Sequence, residues 1–240
     1  MNPADPPRES VPTSATVAVA GGKGGCGKTT VALGLARALV ERGERPLVVD
    51  ADVDVPDLHI RADVDREPGL PAVGAGRRPA AASQPSDRFP GVSVLAAGVG
   101  TGNVGTALAA VADRDRPVIL DCPAGAGPDA TTPLRVADAT VLVSTRTRPG
   151  RADAAKTARM ARGLDAPPRI WMEHVAAGGD NPSAPPALQS LPRIDVPEVG
   201  WHPLERSEAV RAVRAGARAL YGDTQTGSGG DTVVSGTTRP

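Results

Sequence analysis

Lysine is nearly absent from this chain: of 27 basic residues only Lys23, Lys28 and Lys156 are lysines, and the rest are arginines. Aromatic residues make up 2% of the 240 positions, so a core has to be built from Ala, Val, Leu and Ile, a composition suited to a parallel sheet covered by helices. The two cysteines, Cys26 and Cys122, lie inside candidate nucleotide-site motifs and not in C-x-x-C spacing, so neither a disulfide framework nor a zinc site is suggested and a reducing compartment is expected. Basic and acidic residues balance at 27 each, so bulk charge makes no case for nucleic acid or an anionic membrane; a local basic patch is left open. No window approaches the roughly 20 apolar residues needed to span a bilayer, and the proline-rich start lacks a signal-peptide core. A soluble, cytoplasmic protein is the expectation.

Two of the three lysines stand five positions apart in Gly21-Gly22-Lys23-Gly24-Gly25-Cys26-Gly27-Lys28-Thr29-Thr30. From Gly22 this reads G-x-x-x-x-G-K-T, a loop whose glycines let backbone N–H groups converge on phosphate oxygens while Lys28 reaches the terminal phosphates and Thr29 ligates magnesium. Its context agrees with that reading. Ala15 to Ala20 reads as a short buried strand, and Thr29 to Val40 carries Val31, Leu35 and Leu39 at helical spacing, so the loop feeds a helix N-terminus whose dipole favours anions.

Further β-branched runs at 46–50, 92–96, 117–121, 140–144 and 169–175 alternate with helical or loop segments, a rhythm that predicts an α/β fold with a doubly wound, mostly parallel sheet. Helices are expected over 151–164 and 204–221, the second rich in arginine. The stretches 74–90 and 176–192 read as surface loops. Residues 1–14 and 222–240 are polar and rich in Pro or in Gly, Ser and Thr, and are expected to flank one domain at 15–221 as unstructured ends.

Two acidic motifs follow strands. The segment Asp50-Ala51-Asp52-Val53-Asp54-Val55-Pro56-Asp57-Leu58-His59 lies just past the carboxyl end of the second strand, where an open parallel sheet places its ligand crevice. Asp52 is the candidate to orient an attacking water or help hold magnesium, whereas Asp54 and Asp57 read mainly as caps of the turn. Val118-Ile119-Leu120-Asp121 closes another strand in the Walker-B arrangement, with Asp121 as a magnesium-shell candidate. Gly125, four residues on, lets a backbone N–H approach a γ-phosphate and lets the following loop hinge. With no second ligand at metal spacing, His59, His174 and His202 read as packing or hydrogen-bonding residues, and Trp171 and Trp201 as core or pocket walls.

Together, Gly21–Thr30, the D-A-D at Asp50–Asp52 and the D-C-P-A-G at Asp121–Gly125 resemble the MinD/ParA family of deviant Walker-A P-loop ATPases over roughly residues 15–165. The resemblance implies a slow ATPase that dimerises face to face around two ATP molecules, with magnesium as cofactor and a protein partner as activator. Residue by residue, it implies that Lys23 reaches across to the partner subunit's phosphates and Lys28 binds the β- and γ-phosphates. It also places Thr29 on magnesium, Thr30 near the α-phosphate, Asp52 on the attacking water, Asp121 in the magnesium shell and Gly125 in a nucleotide-sensing switch. Gly22, Gly24, Gly25, Cys26 and Gly27 complete the phosphate loop.

Past about residue 165 the pattern departs. Family members end a late strand with an asparagine that helps read adenine, whereas Ile170-Trp171-Met172-Glu173-His174-Val175 places Glu173 near that point. Val196-Pro197-Glu198 is aligned with a proline-containing segment that lines the base. The Gly/Ser/Thr tail cannot form the terminal amphipathic helix of membrane-binding relatives, and paired cysteines of iron–sulfur relatives are missing. Two alternatives to an ATP-driven dimerisation switch stay open: a nucleotide-dependent adaptor with little turnover, and an ATP-dependent amide-forming or ligase relative.

Overall fold

Mostly from β-branched and aliphatic runs, the described residues form eight strands, β1 (Thr16–Gly21), β2 (Leu47–Asp50), β3 (Gln84–Pro85), β4 (Ser93–Leu95), β5 (Val118–Ala124), β6 (Ala139–Thr145), β7 (Pro168–Val175) and β8 (Arg193–Pro197). They are joined in one sheet of order β3-β4-β2-β5-β1-β6-β7-β8, in which every pairing is parallel except β3 with β4. The computed structural model describes residues 10–22, 24–100, 102–112, 116–125, 127–179, 181–198 and 203–223.

The helices are α1 (Lys28–Val40), α2 (Leu58–Ala62), α3 (Leu70–Gly74), α4 (Pro79–Ala82), α5 (Val104–Val111), α6 (Pro128–Leu134), α7 (Arg148–Gly163), α8 (Pro186–Gln189) and α9 (Ser207–Tyr221). Alternation along β1 explains why both faces are covered. Val17 and Val19 enter a core with Val31, Leu35 and Leu39 of α1 and Val213 and Leu220 of α9. Ala18 and Ala20 enter a second core with Leu108 of α5, Leu134 of α6 and Ala161 of α7. The fold is therefore the doubly wound α/β class that the strand rhythm predicts.

Several boundaries differ from the sequence expectation, each for a local reason. Helix α7 begins at Arg148 because the Thr147 hydroxyl caps it, accepting from the Gly150 N–H at 3.1 Å, with Pro149 in the first turn. Leu204 belongs to a 3₁₀ turn over Pro203–Glu205, and α9 starts only at Ser207. The stretch 74–90 carries α4 and β3, and 176–192 carries α8; these pieces are too short for periodicity to reveal. Val11, expected in an unstructured end, is buried and its N–H donates to the Leu220 carbonyl at 2.9 Å. At the other end Arg42 donates to the Gly222 carbonyl at 2.9 Å. The rest of both tails, 1–9 and 224–240, lies outside the described residues.

The apolar face of α9 is already used. Ala209, Val210, Val213, Ala217 and Leu220 are buried, in keeping with a sheet-covering helix rather than a membrane-facing one. No helix among the described residues is long and apolar enough to cross a membrane.

Candidate nucleotide site

The chain order β1, α1, β2 places the sheet's switch point beside β1, where parallel neighbours lead off in opposite directions and a crevice opens at the strands' carboxyl ends. A pocket of about 980 Å³ occupies this edge. Its floor is Gly25, Cys26, Gly27, Lys28, Thr29 and Thr30. Moving outward across the sheet, the lining continues with Arg146 and Thr147 after β6, His174 of β7, Asn181 beyond it, and Glu198 after β8.

The loop takes its shape from glycine where the backbone requires it. Gly27 has φ 94° and is the N-cap residue of α1, with no side-chain cap. A Cβ there would meet the imidazole Nε2 of His174, so both conformation and space demand glycine. No side chain caps the first N–H groups of α1, and the residues that carry them line the pocket. Gly22 answers a different need: a Cβ there would fall on the Asp153 Cβ and within 2.9 Å of its Cα. Gly22 is not among the pocket-lining residues, and close packing of the loop on α7 accounts for a glycine there. Gly24 faces open space. Lys23, assigned a role across a dimer interface, lies outside the described residues.

Asp121 sits beneath the loop, 2% exposed, with its Oδ1 buried and unpartnered among the described residues. Burial pushes its carboxyl up to about 7, while the nearby Thr29 hydroxyl and Lys28 ammonium pull the other way. Asp50 is its register partner on β2 and is pushed up to about 8, by burial first and by the Asp121 charge second. Two facing carboxylates with an unsatisfied oxygen suit a cation. No cluster of three or more His, Cys, Asp or Glu residues able to hold a metal is present among the described residues. That donor set fits magnesium, which takes one or two protein oxygens and completes its shell with water and phosphate. Thr29 and Asp121 are the residues that would hold it.

The acidic segment after β2 works differently from its sequence reading. Asp50 organises it: Oδ1 accepts from the Asp52 N–H at 3.2 Å and Oδ2 from the Leu58 N–H at 3.3 Å. Asp52 is half-buried, and its Oδ1 accepts from the Val55 N–H at 3.1 Å. Asp57 is the N-cap residue of α2 but makes no cap bond. Instead it accepts from the Thr29 hydroxyl at 3.0 Å and from Arg61 Nε at 2.7 Å, and it lines the pocket. A hydroxyl has one proton and two lone pairs, so donating to Asp57 leaves the Thr29 oxygen free to face a cation. Asp54 is exposed. Gly125 has φ 94° and its N–H donates to the Gly21 carbonyl at 3.2 Å, so in this conformation that donor is committed within the fold.

Glu173 is fully buried and does not face the pocket as a base-reading group. It is clamped by Arg151, with Nε to Oε1 and Nη2 to Oε2 both at 2.7 Å, and approached by Arg146 Nε at 3.1 Å. Arg151 also stacks over Trp171, its guanidinium carbon 5.3 Å from the ring centroid, and Trp171 donates to the Ser144 hydroxyl at 2.8 Å. The next residue, His174, turns into the pocket; burial holds its imidazole below the usual histidine range, opposed by the Glu198 charge. Trp201 and His202 lie outside the described residues, and His59 is on α2.

This arrangement of switch point, glycine loop and facing aspartates defines a P-loop nucleotide-binding domain. Residues 17–215 match the CobQ/CobB/MinD/ParA nucleotide binding domain, and the chain belongs to that family. An uncharacterized ATP-binding protein of Methanocaldococcus jannaschii is 34% identical over 139 residues, which is 53% of this chain and 51% of that protein. The chain thus aligns with about half the length of that curated relative. Among solved structures, the septum site-determining protein MinD of Pyrococcus horikoshii, complexed with Mg-ADP, superposes with a TM-score of 0.70 at 22% identity, covering 85% of this chain and 94% of that one. Cobyrinic acid a,c-diamide synthase of Mycobacterium smegmatis, with a bound ATP analog and magnesium, gives 0.68 at 22% identity, covering 86% and 93%. At that identity the two structures share the fold with this chain.

Proposed function

We propose that this protein is a magnesium-dependent ATP-binding and ATP-hydrolysing switch of the MinD/ParA type, which dimerises when ATP is bound and acts in spatial organisation or regulation through a protein partner. The observation that carries the reading is the meeting of Lys28 and Thr29, at the uncapped head of α1, with the unpartnered buried oxygen of Asp121 beside a pocket of about 980 Å³. The α1 N–H groups and Lys28 would hold the phosphates, and magnesium held by Thr29 and Asp121 would supply charge neutralisation at the transferring phosphoryl group. Asp52 positions the attacking water, and Lys23 completes the partner subunit's site, so that hydrolysis depends on assembly. A cation supplied in this way is worth about 10³–10⁵ in rate where it has been measured.

The surface beside the pocket supports the dimerising part of the reading. Of the four large apolar side chains exposed among the described residues, Val53 and Val55 lie on the segment that Asp50 organises and Ile60 on α2 just after it, the fourth being Val99. A cluster of apolar groups next to a nucleotide suits a surface that is covered in one nucleotide state and bare in the other.

The test compares wild type, Lys28→Ala and Lys23→Ala for ATP binding, phosphate release and mass in solution with magnesium and ATP. Wild type is expected to bind, turn over slowly and form dimers. Lys28→Ala is expected to lose binding, and Lys23→Ala to bind while losing turnover and dimer. Wild-type protein that binds ATP but neither hydrolyses it nor changes mass sinks the switch reading in favour of an adaptor.

A further inference from the structure

A second cavity, of about 450 Å³, adjoins the nucleotide pocket between α1, α2, the turn at Arg88 and Phe89, and the 3₁₀ turn Pro203–Glu205. Its size is that of a small-molecule site. The walls are apolar: Leu33 of α1, Ile60 of α2, Leu204, and Phe89, the single phenylalanine of the chain. Leu33 and Leu204 belong to the packed core, so that wall is fixed, whereas Ile60 is 68% exposed and forms the outer edge. Three guanidiniums, of Arg37, Arg61 and Arg88, line the same space against two carboxylates, of Asp57 and Glu205. Both carboxylates already have cationic partners, Arg61 Nε on Asp57 at 2.7 Å and Arg88 Nη2 at 3.7 Å from Glu205. Arg37 donates to the Leu204 carbonyl at 2.8 Å, which ties its head to the wall. Glu41, 3.6 Å from Arg37, stands outside the lining and is forked by Arg214. The lining is thus apolar with an excess of positive charge.

We propose that this cavity binds a small apolar carboxylate, its hydrocarbon body against Leu33, Ile60, Phe89 and Leu204 and its carboxylate on Arg61 and Arg88, and that occupancy opposes magnesium–ATP binding in the adjoining pocket. An uncharged apolar molecule would set hydrocarbon against the guanidiniums, and a small anion would leave the apolar walls wet. An amphipathic acid satisfies both. The coupling follows from shared walls, because Thr30, Asp57 and Arg61 line both cavities. Asp57 accepts from the Thr29 hydroxyl on one side and from Arg61 on the other. An acid that draws Arg61 toward itself loosens the carboxylate that orients Thr29, and it adds negative charge beside the phosphates. Linkage is reciprocal, so magnesium and ATP weaken the acid by the same factor. The acid site stands on the cavity alone, and the coupling rests on the reading of the larger pocket as a magnesium–ATP site.

Calorimetry on the full chain tests this, with octanoate as the probe and octanol and acetate as controls. Octanoate is expected to bind about tenfold more tightly than either control, since each lacks one half of the match. Arg88→Gln, at an exposed position, is expected to weaken octanoate about tenfold while leaving magnesium–ATP affinity within about twofold of wild type. Ile60→Trp, which fills the outer edge of the cavity, should abolish octanoate binding. Saturating octanoate should weaken magnesium–ATP binding about fivefold or more, and Arg61→Gln should erase that effect. Octanol that matches octanoate, or octanoate binding unchanged in both Arg88→Gln and Ile60→Trp, overturns the site. Octanoate that fails to bind overturns it too, and binding of phosphatidylglycerol vesicles in its place would assign the surface to lipid. Octanoate and magnesium–ATP that bind independently of each other overturn the coupling. Octanoate bound by a chain that takes no ATP overturns the functional reading and leaves the acid site standing.

Discussion

Asp50 and Asp121 are register partners on adjacent parallel strands, each almost wholly buried, beneath a loop that carries one buried lysine. Their carboxyls are raised to about 8 and about 7, above the ordinary 3.8 of an unfolded aspartate. Between pH 4 and 8 the folded chain therefore holds protons that the unfolded chain has lost, and stability falls as pH rises through that window. The lowered Glu41 carboxyl acts only at the acid edge of this window, and the lowered His174 imidazole opposes the trend near and below 6.5, one group against two. Nucleotide-free protein should melt roughly 5–10 °C higher near pH 5 than near pH 8. Saturating magnesium and ATP should shrink that difference by supplying positive charge to the pair. Melting curves across this range decide it, and a flat or rising profile for the nucleotide-free protein would count against the burial argument.

Glycines of the loop should separate into two kinds. Gly27→Ala places a methyl group on His174 at φ 94°, in the phosphate floor itself, and is expected to abolish ATP binding. Gly22→Ala pushes on the backbone of α7 instead, an overpacking that costs about 1–3 kcal/mol. It should lower the melting temperature while leaving ATP affinity, measured well below that temperature, within about threefold of wild type. Equal loss of affinity in both variants would contradict the assignment of Gly22 to packing.

The buried Arg151–Glu173 pair makes a prediction that depends on removing one partner or both. Glu173→Leu alone leaves a guanidinium at 2% exposure short of its main acceptor, and should cost about 3–5 kcal/mol. The double variant Arg151→Met with Glu173→Leu should recover most of that stability, since apolar replacements of such pairs are often neutral. Denaturant unfolding of the three proteins gives the coupling directly. A Glu173→Leu protein as stable as wild type would count against the Arg151 guanidinium being left uncompensated.

The parts of the site legible in the sequence are those contiguous along the chain. Glycine loop, strand and helix follow one another within 16–40, and four apolar residues lead straight into Asp121, so the strand's period and its end are read together. Asn181 and Glu173 were illegible for the opposite reason: Arg151 joins residues 22 and 30 positions away, and only the packing of α7 beneath β7 brings them together. Asp57 looked like a cap because the sequence shows the turn and hides Thr29, 28 positions earlier. Edge strand β8 escaped because Arg193 and Asp195 break the apolar run that marks a central strand.

Asp57 leads to a prediction about magnesium in particular. Its carboxylate accepts the Thr29 hydroxyl hydrogen bond at 3.0 Å, which sets the direction of the lone pairs that a cation would meet, and Arg61 at 2.7 Å holds the carboxylate in place. Orienting partners of this kind change metal affinity by about 10–100-fold when removed. Asp57→Ala should therefore weaken the magnesium dependence of ATP binding by about that factor, while binding of ATP measured with EDTA changes little. Asp57→Asn retains an acceptor oxygen and should fall between. Titrating magnesium at fixed ATP for the three proteins tests this, and an identical magnesium midpoint in all of them would return Asp57 to the role of a turn residue.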